Sequence, residues 1–354
     1  MATTKLEPVL RPDGRWQCGF VTTCNRAVLQ LNRNGADGGA AFLEASAGGA
    51  KFAPITPPIL APDITVPVNL PKGFTVRVIS LIPIEYAAVF SDKAITPIPD
   101  PDQTYFPNAV QDIDGNWYDA VIIAGTVWTA ENLRTKHYPS GDAIILGGYD
   151  PFHETGRMVY PNGDLSNFKK HGMLYDWFAL MGEEKVSGAN GENIRGISPA
   201  GWHIPSDAER SEFSMFAKRN GMFADSFASK EGWKTSSVVN APGYSLESNN
   251  VTGFNAMPSG VGDGAVTGEG TPTFQRYTEE TYFATTQINN NRLYSNAFGI
   301  QYDNKTPFPI WGLNTSTGRS VRCICDMTPS EFRQWYVNEY NTNNHQVNNK
   351  YATD

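Results

Sequence analysis

Glycine and proline break this sequence so often that no apolar period runs long enough to build a bundle of helices. There are 33 glycines and 24 prolines in 354 residues. Between them lie short runs rich in Val, Ile, Thr and aromatic residues, and such runs bounded by turn formers read as short strands joined by structured loops. The strongest in the first third is FTVRVISLI (residues 74–82), followed by YAAVF (residues 86–90). Residues 15–31 also alternate in the strand manner, RWQCGFVTT and then RAVLQL after a turn at Cys24 and Asn25. Residues 1–90 therefore read as a small β domain. Residues 91–107, SDKAITPIPDPDQTYFP, hold four prolines in a polar setting and read as a semi-rigid linker.

The length suits two domains, and an apolar fraction of 40% is enough to give each a core. The net charge of -8 comes with no basic block. Nucleic-acid binding needs a basic stripe to displace counterions, so that class is excluded. The opening MATTKLEPVLRPDG has no apolar run behind Lys5, and no later stretch is long enough to span a bilayer. Folding in a cytosol is the expectation. The four cysteines, Cys18, Cys24, Cys323 and Cys325, agree with it as free and mostly buried thiols. A Cys18–Cys24 hairpin disulfide is the alternative. Spacings of C-x5-C and C-x-C do not match a four-cysteine zinc site.

The second domain opens on a turn at Asp114 and Gly115, with β-prone residues over 116–128. A short helix is predicted at GMLYDWFALMG (residues 172–182), with Leu174, Trp177, Phe178 and Met181 on one face. A longer one follows Ser206, where Glu209 completes a capping box and Asn220-Gly221 closes the helix. Strands, loops and glycines fill residues 232–326. Thr328, Pro329 and Glu331 repeat the capping-box logic at the end of the chain, ahead of Phe332, Trp335, Tyr336 and Tyr340 at helical spacing. The tail NTNNHQVNNKYATD is polar and low in complexity.

An ordered series of motifs carries a family resemblance. It runs through DGNWYDAVIIAGTVWTAENLR (114–134), GMLYDWFAL (172–180), SPAGWHIPSDAE (198–209), GW (232–233), NNVTGFNAMPSG (249–260) and GRSVRCICD (318–326). Over about residues 108–326 the chain resembles the Fibrobacter succinogenes major paralogous domain. The resemblance implies a C-type-lectin-like fold, hence an α+β class: a lectin-like domain after the small all-β domain, then a C-terminal helix and polar tail. It implies no particular activity. The motif residues themselves make structural sense. Trp117, Trp128, Trp177, Trp202 and Trp233 can knit a loop-rich fold. Pro199, Gly201 and Pro205 set the entry to the capped helix. His203 reads as holding its neighbours by a side-chain hydrogen bond. Family members commonly carry Cys where this chain has Ser198, and the resemblance implies a bridge from that position to Cys323. That bridge cannot form here, which again fits a reducing compartment.

Chemistry-bearing motifs are missing: no nucleophile elbow, no phosphate-binding glycine loop, no H-E-x-x-H. His137, His153, His171, His203 and His345 are scattered. Asp263 and Glu269 in GDGAVTGEG read as solvated turn residues, with a carboxylate pair or a calcium loop as the alternatives. Cys323-x-Cys325 does not reproduce the wider cysteine spacing of the related formylglycine-generating enzymes. No enzyme activity, cofactor or metal is therefore expected.

The segment 285–320 is dense in Asn, Tyr, Ser and Thr, which make adaptable polar contacts and give aromatic area at low entropic cost. Its candidate ligand-binding residues are Asn290, Arg292, Tyr294, Asn296, Tyr302, Trp311 and Asn314, expected on one exposed surface; an ordinary polar loop set is the alternative. The function expected is a non-enzymatic binding module. It would be a phage virion protein such as a head or tail fibre or receptor-binding adhesin, assembled in the bacterial cytoplasm. Residues 1–90 would contact other virion proteins, and 285–320 a host-surface glycan or protein. Neither nucleic-acid binding nor membrane insertion is expected. A homo-oligomer, with a trimer as the leading guess, fits such a role. The alternative is a bacterial surface or secreted carbohydrate-binding protein.

Overall fold

The computed structural model describes residues 2–6, 8–10, 15–22, 26–33, 40–47, 52–61, 63–71, 74–92, 97–98, 104–147, 155–182, 193–263, 273–288 and 293–342. The chain divides into two compact units, one of Met1–Thr104 with Met327–Asp354 and one of Tyr105–Asp326. Among the described residues no helix is long and apolar enough to cross a membrane.

The first unit begins with ten strands: β1 (Ala2–Leu6), β2 (Val9–Leu10), β3 (Trp16–Val21), β4 (Ala27–Arg33), β5 (Ala41–Ala47), β6 (Ala53–Pro54), β7 (Asp63–Val68), β8 (Phe74–Ser80), β9 (Ile84–Ser91) and β10 (Pro97–Ile98). One sheet has the order β1-β9-β4-β7; the other runs β10-β3-β8-β5-β6, with β2 also on β3. Alternation decides which side chains meet. On β4, Ala27, Leu29 and Leu31 point inward while Gln30 is exposed. Leu29, Leu31 and Val89 of the first sheet share a core with Phe20, Leu43, Val76 and Val78 of the second, which is a two-layer sandwich.

The second unit holds β11 (Tyr105–Gln111), β12 (Trp117–Ile123), β13 (Thr126–Thr129), β14 (Ile145–Leu146), β15 (Arg157–Val159), α1 (Phe168–His171), β16 (Leu174–Tyr175), α2 (Trp177–Met181), β17 (Trp202–His203) and α3 (Asp207–Arg219). After these come β18 (Val261–Asp263), β19 (Thr273–Gln275), β20 (Glu280–Ile288), β21 (Tyr294–Gln301), β22 (Ile310–Asn314) and β23 (Ile324–Cys325). Asp112 shapes the β11–β12 turn by accepting the amides of Asp114 and Asn116, and Gly115 there takes φ 79°. In the sheet β11-β12-β13-β23-β17, the short β23 lies between strands that are far from it in sequence. Trp128 faces Ile324, and Trp202 faces Cys325. The core beside this sheet is a set of rings: Trp128 lies 4.8 Å from Phe213, and Phe308 lies 4.7 Å from Phe213 and 4.9 Å from Phe227.

The last helix, α4 (Pro329–Thr342), returns to the first unit. The Ser330 and Thr75 hydroxyls are 2.8 Å apart, and Phe332 is fully buried. Thr75 points away from its neighbour Val76, which lies in the sandwich core, so α4 covers the outer face of the β8 sheet. Tyr340 has its side chain outside the described residues.

Three expectations need correction. The α+β class expected with a C-type-lectin-like fold does not hold: strands make up 41% of the described residues and helix 16%, and the strands form several small sheets. The helix expected over residues 172–182 is instead β16, paired with β15, followed by the single-turn α2. Asp176 accepts the Ala179 amide and caps α2 inside the apolar run, and all five α2 residues are buried, so no amphipathic face exists. The segment read as a linker contains β10, which pairs with β3, and its end starts β11. Proline is tolerated there because β10 is an edge strand.

Candidate functional site

The segment singled out for ligand contact folds as an antiparallel sheet of order β20-β21-β22. Register places Tyr294 opposite Asn314, Asn296 opposite Gly312 and Phe298 opposite Ile310. These residues share one face. At its inner end Phe298 and Ile300 join the ring core; at its outer end the surface is open. Tyr294 is 48% exposed and Ile310 46%. Asn314 is exposed, and a Cβ added to Gly312 would meet nothing within 4 Å. Asn296 is half-buried and donates to Asp207 of α3 at 2.6 Å.

Trp311 belongs to the opposite face. It lies beside Ala297 and packs edge-on against Tyr282 at 4.8 Å, in a small cluster with Val261 and Leu313. Tyr302 sits past the end of β21, half-buried against the ring core, with the Lys234 ammonium 5.0 Å from its ring. The sheet thus brings Tyr294, Asn296 and Asn314 together, and leaves Trp311 and Tyr302 elsewhere. Asn290 and Arg292 lie outside the described residues, as do Glu269, the side chain of Asp263, Cys24, His153 and His345.

A second feature was only partly visible in the sequence. His203 is 4% exposed, and its Nδ1 lies 2.6 Å from Asp326 Oδ1 and its Nε2 2.8 Å from Glu209 Oε1. Only an imidazolium donates from both nitrogens. Burial alone would lower its pKa, but the hydrogen bonds it donates to Glu209 and Asp326 outweigh burial and raise it. For Glu209 burial would raise the pKa, yet the bonds from His203 and the Ser206 backbone lower it overall. Glu209 Oε2 also accepts from the Ser206 amide and hydroxyl at 2.8 Å, the expected capping box. This clamp lines a cleft of about 460 Å³ between Thr126, Asn193, Arg195, Trp202, Ile324 and Asp326. His203 and its capping glutamate could be singled out from the sequence. Asp326 could not, because it comes from 123 positions away.

The family motifs serve architecture. Arg322 is fully buried; its guanidinium donates to Asn132 Oδ1 and to the carbonyls of Thr129, Phe254 and Asn255, at 2.8–2.9 Å, and lies over the Phe254 ring. Burial pushes it down to about 9, which leaves it charged at neutral pH. Arg319 donates to the carbonyls of Thr317 and Asn314 and to the Ser295 hydroxyl, tying down the ends of β21 and β22. Trp128, Trp177, Trp202 and Trp233 are buried, whereas Trp117 is 40% exposed. Ser198 Oγ lies 3.1 Å from Cys323 Sγ, and both residues are buried. Cys18, Cys323 and Cys325 are free thiols. Among the described residues no group of three His, Cys, Asp or Glu side chains is placed to hold a metal ion.

Fold and site define a mostly-β, loop-rich domain whose motif residues build a scaffold around one open sheet face and one polar cleft. Residues 121–325 match the family model of the Fibrobacter succinogenes major domain, and the chain belongs to that family. No curated protein and no solved structure matches it.

Proposed function

We propose that this chain is a non-enzymatic binding module, a phage virion component that attaches to a host-surface glycan or protein through the open face of β21 and β22. The observation that carries this reading is the row Ile310, Gly312 and Asn314 on the edge strand, with Tyr294 across from Asn314. All four are exposed on one side of a sheet whose other side is packed by Trp311 and Leu313. Half-exposed tyrosine beside asparagine offers ring area and hydrogen bonds together, the chemistry of adaptable recognition surfaces. The side chain of His203 supports a binding role over acid–base work, since both ring nitrogens are engaged. The free Cys323 thiol beside Ser198 supports folding in a reducing cytoplasm and later display on a particle.

Anchoring through residues 1–90 to other virion proteins, and a homo-oligomer, belong to the same proposal. The case for an oligomer does not come from β8, because the sandwich and α4 cover both faces of that strand. It draws on avidity: weak sites held together bind a surface far better than one alone. The test is binding of labelled full-length protein to a panel of intact bacterial cells. Tyr294→Ala combined with Asn314→Asp, which keeps the oxygen that accepts from Ser316, is expected to weaken attachment by about 1–3 kcal/mol, the range of a true anchor, without lowering the melting temperature. Undiminished binding by the double variant would remove this face as the recognition surface.

A further inference from the structure

We propose that the cleft beside His203 is a second ligand site, built for a neutral, hydroxyl-rich molecule of the size of a mono- or disaccharide. The proposal rests on the binding-module reading above but uses a different surface. Its volume of about 460 Å³ falls within the range of small-molecule pockets. Trp202 and Ile324 are buried and give the cleft an apolar base, while Arg195, Asn193 and Asp326 are exposed at its rim.

The charges of the described lining residues balance. His203 and Arg195 are cationic, and Glu209 and Asp326 are anionic. A cleft without net charge does not select an ion, but it still offers strong donors and acceptors side by side. Asp326 is held before any ligand arrives: Oδ1 is bound by His203, and its own amide donates to the Gly201 carbonyl at 3.0 Å. Its Oδ2 accepts no bond among the described residues. Arg195 is similarly anchored, with Nε on the Ser198 carbonyl at 3.3 Å and both Nη nitrogens without a bond among the described residues. A fixed carboxylate acceptor and a fixed guanidinium donor across an apolar base suit a molecule whose hydroxyls both donate and accept. Preorganisation matters because a carboxylate already locked by an imidazolium loses little entropy on binding. The first turn of α3 separates this cleft from the sheet face: Asp207 bonds Asn296 on one side, and Glu209 bonds His203 on the other.

Saturation-transfer NMR on the full chain tests this. The probes are glucose, galactose, mannose, fucose and N-acetylglucosamine, with glucosamine and glucuronate as charged counterparts. At least one neutral sugar is expected to receive saturation. Arg195→Gln and Asp326→Asn, which keep shape, are each expected to weaken that binding about tenfold, the effect of one charge-assisted hydrogen bond. Thermal melting verifies that each variant is folded. Tyr294→Ala is expected to leave in place the part of the signal that Arg195→Gln and Asp326→Asn remove, so binding at the sheet face and binding in the cleft are separable. Silence from every neutral sugar, signals from the charged sugars alone, or full binding by both variants would overturn the proposal, whatever becomes of the sheet face.

Discussion

At the scale of single residues, Ser198 and Cys323 make a buried contact between distant parts of the sequence. The hydroxyl stands where the family resemblance implies a bridging cysteine, 125 positions from Cys323 and 3.1 Å from its sulfur. Burial pushes the thiols of Cys18 and Cys323 up to about 12, so neither is a nucleophile in the native state. Ser198→Cys is therefore expected to form a disulfide with Cys323 on oxidation. Closing so long a loop stabilises by about 5 kcal/mol in the chain-entropy account. Mass spectrometry of alkylated, unreduced protein would show the bridge, and melting with and without reductant would show its effect. If the two thiols of the variant stay unpaired after refolding with oxidised glutathione, when both are accessible, the positional equivalence is wrong.

At the scale of elements, α3 depends on a clamp that is pH-sensitive at both ends. His203 has a raised pKa, so its contribution is complete below the unfolded value near 6.5 and fades as pH rises through the folded value. Glu209 has a lowered pKa, so its contribution is complete above about 4.5 and fades as pH falls through the folded value. The clamp is thus at full strength between those limits. Asp326 and Arg195 also face it from the cleft. His171 opposes it in the same range: burial pushes its pKa down to about 4, so acid favours the unfolded chain there. The informative quantity is a difference between proteins. His203→Gln is expected to destabilise by about 1–3 kcal/mol near pH 6, since it leaves two carboxylates short of a donor. The gap to the unaltered protein is expected to shrink toward pH 8 in denaturant titrations. A gap that stays constant from pH 6 to pH 8 would mean that the imidazole acts through shape alone.

At the scale of the whole molecule, residues following the family domain complete the unit that precedes it. Met327–Asp354 belongs with Met1–Thr104, and Phe332 is the buried anchor of α4. Phe332→Ala removes a fully buried ring, a loss of about 3–5 kcal/mol. Amide exchange is expected to speed up across β3 and β8 and to stay unchanged in β20 and β21. Equal acceleration in both sets would show that the two units unfold as one.

Much of this was legible in the sequence because it depends on neighbours along the chain. The turn at Asp114 and Gly115, the capping box of Ser206 and Glu209, and the strand over residues 74–80 all follow from local sterics, hydrogen bonding and alternation. So did the family, whose motifs keep their order. Only the tertiary structure decided the rest. Helical spacing in GMLYDWFALMG gave way to a strand and a single turn, because Asp176 spends its carboxylate on a cap and every neighbouring side chain has somewhere apolar to go. Trp311 and Tyr294 look equivalent in composition, but strand parity sends them to opposite faces. Asp326 meets His203, and α4 meets β8, through contacts more than a hundred residues apart. Local rules do not encode such contacts; burying a shared apolar core selects them from the many pairings a flexible chain could sample.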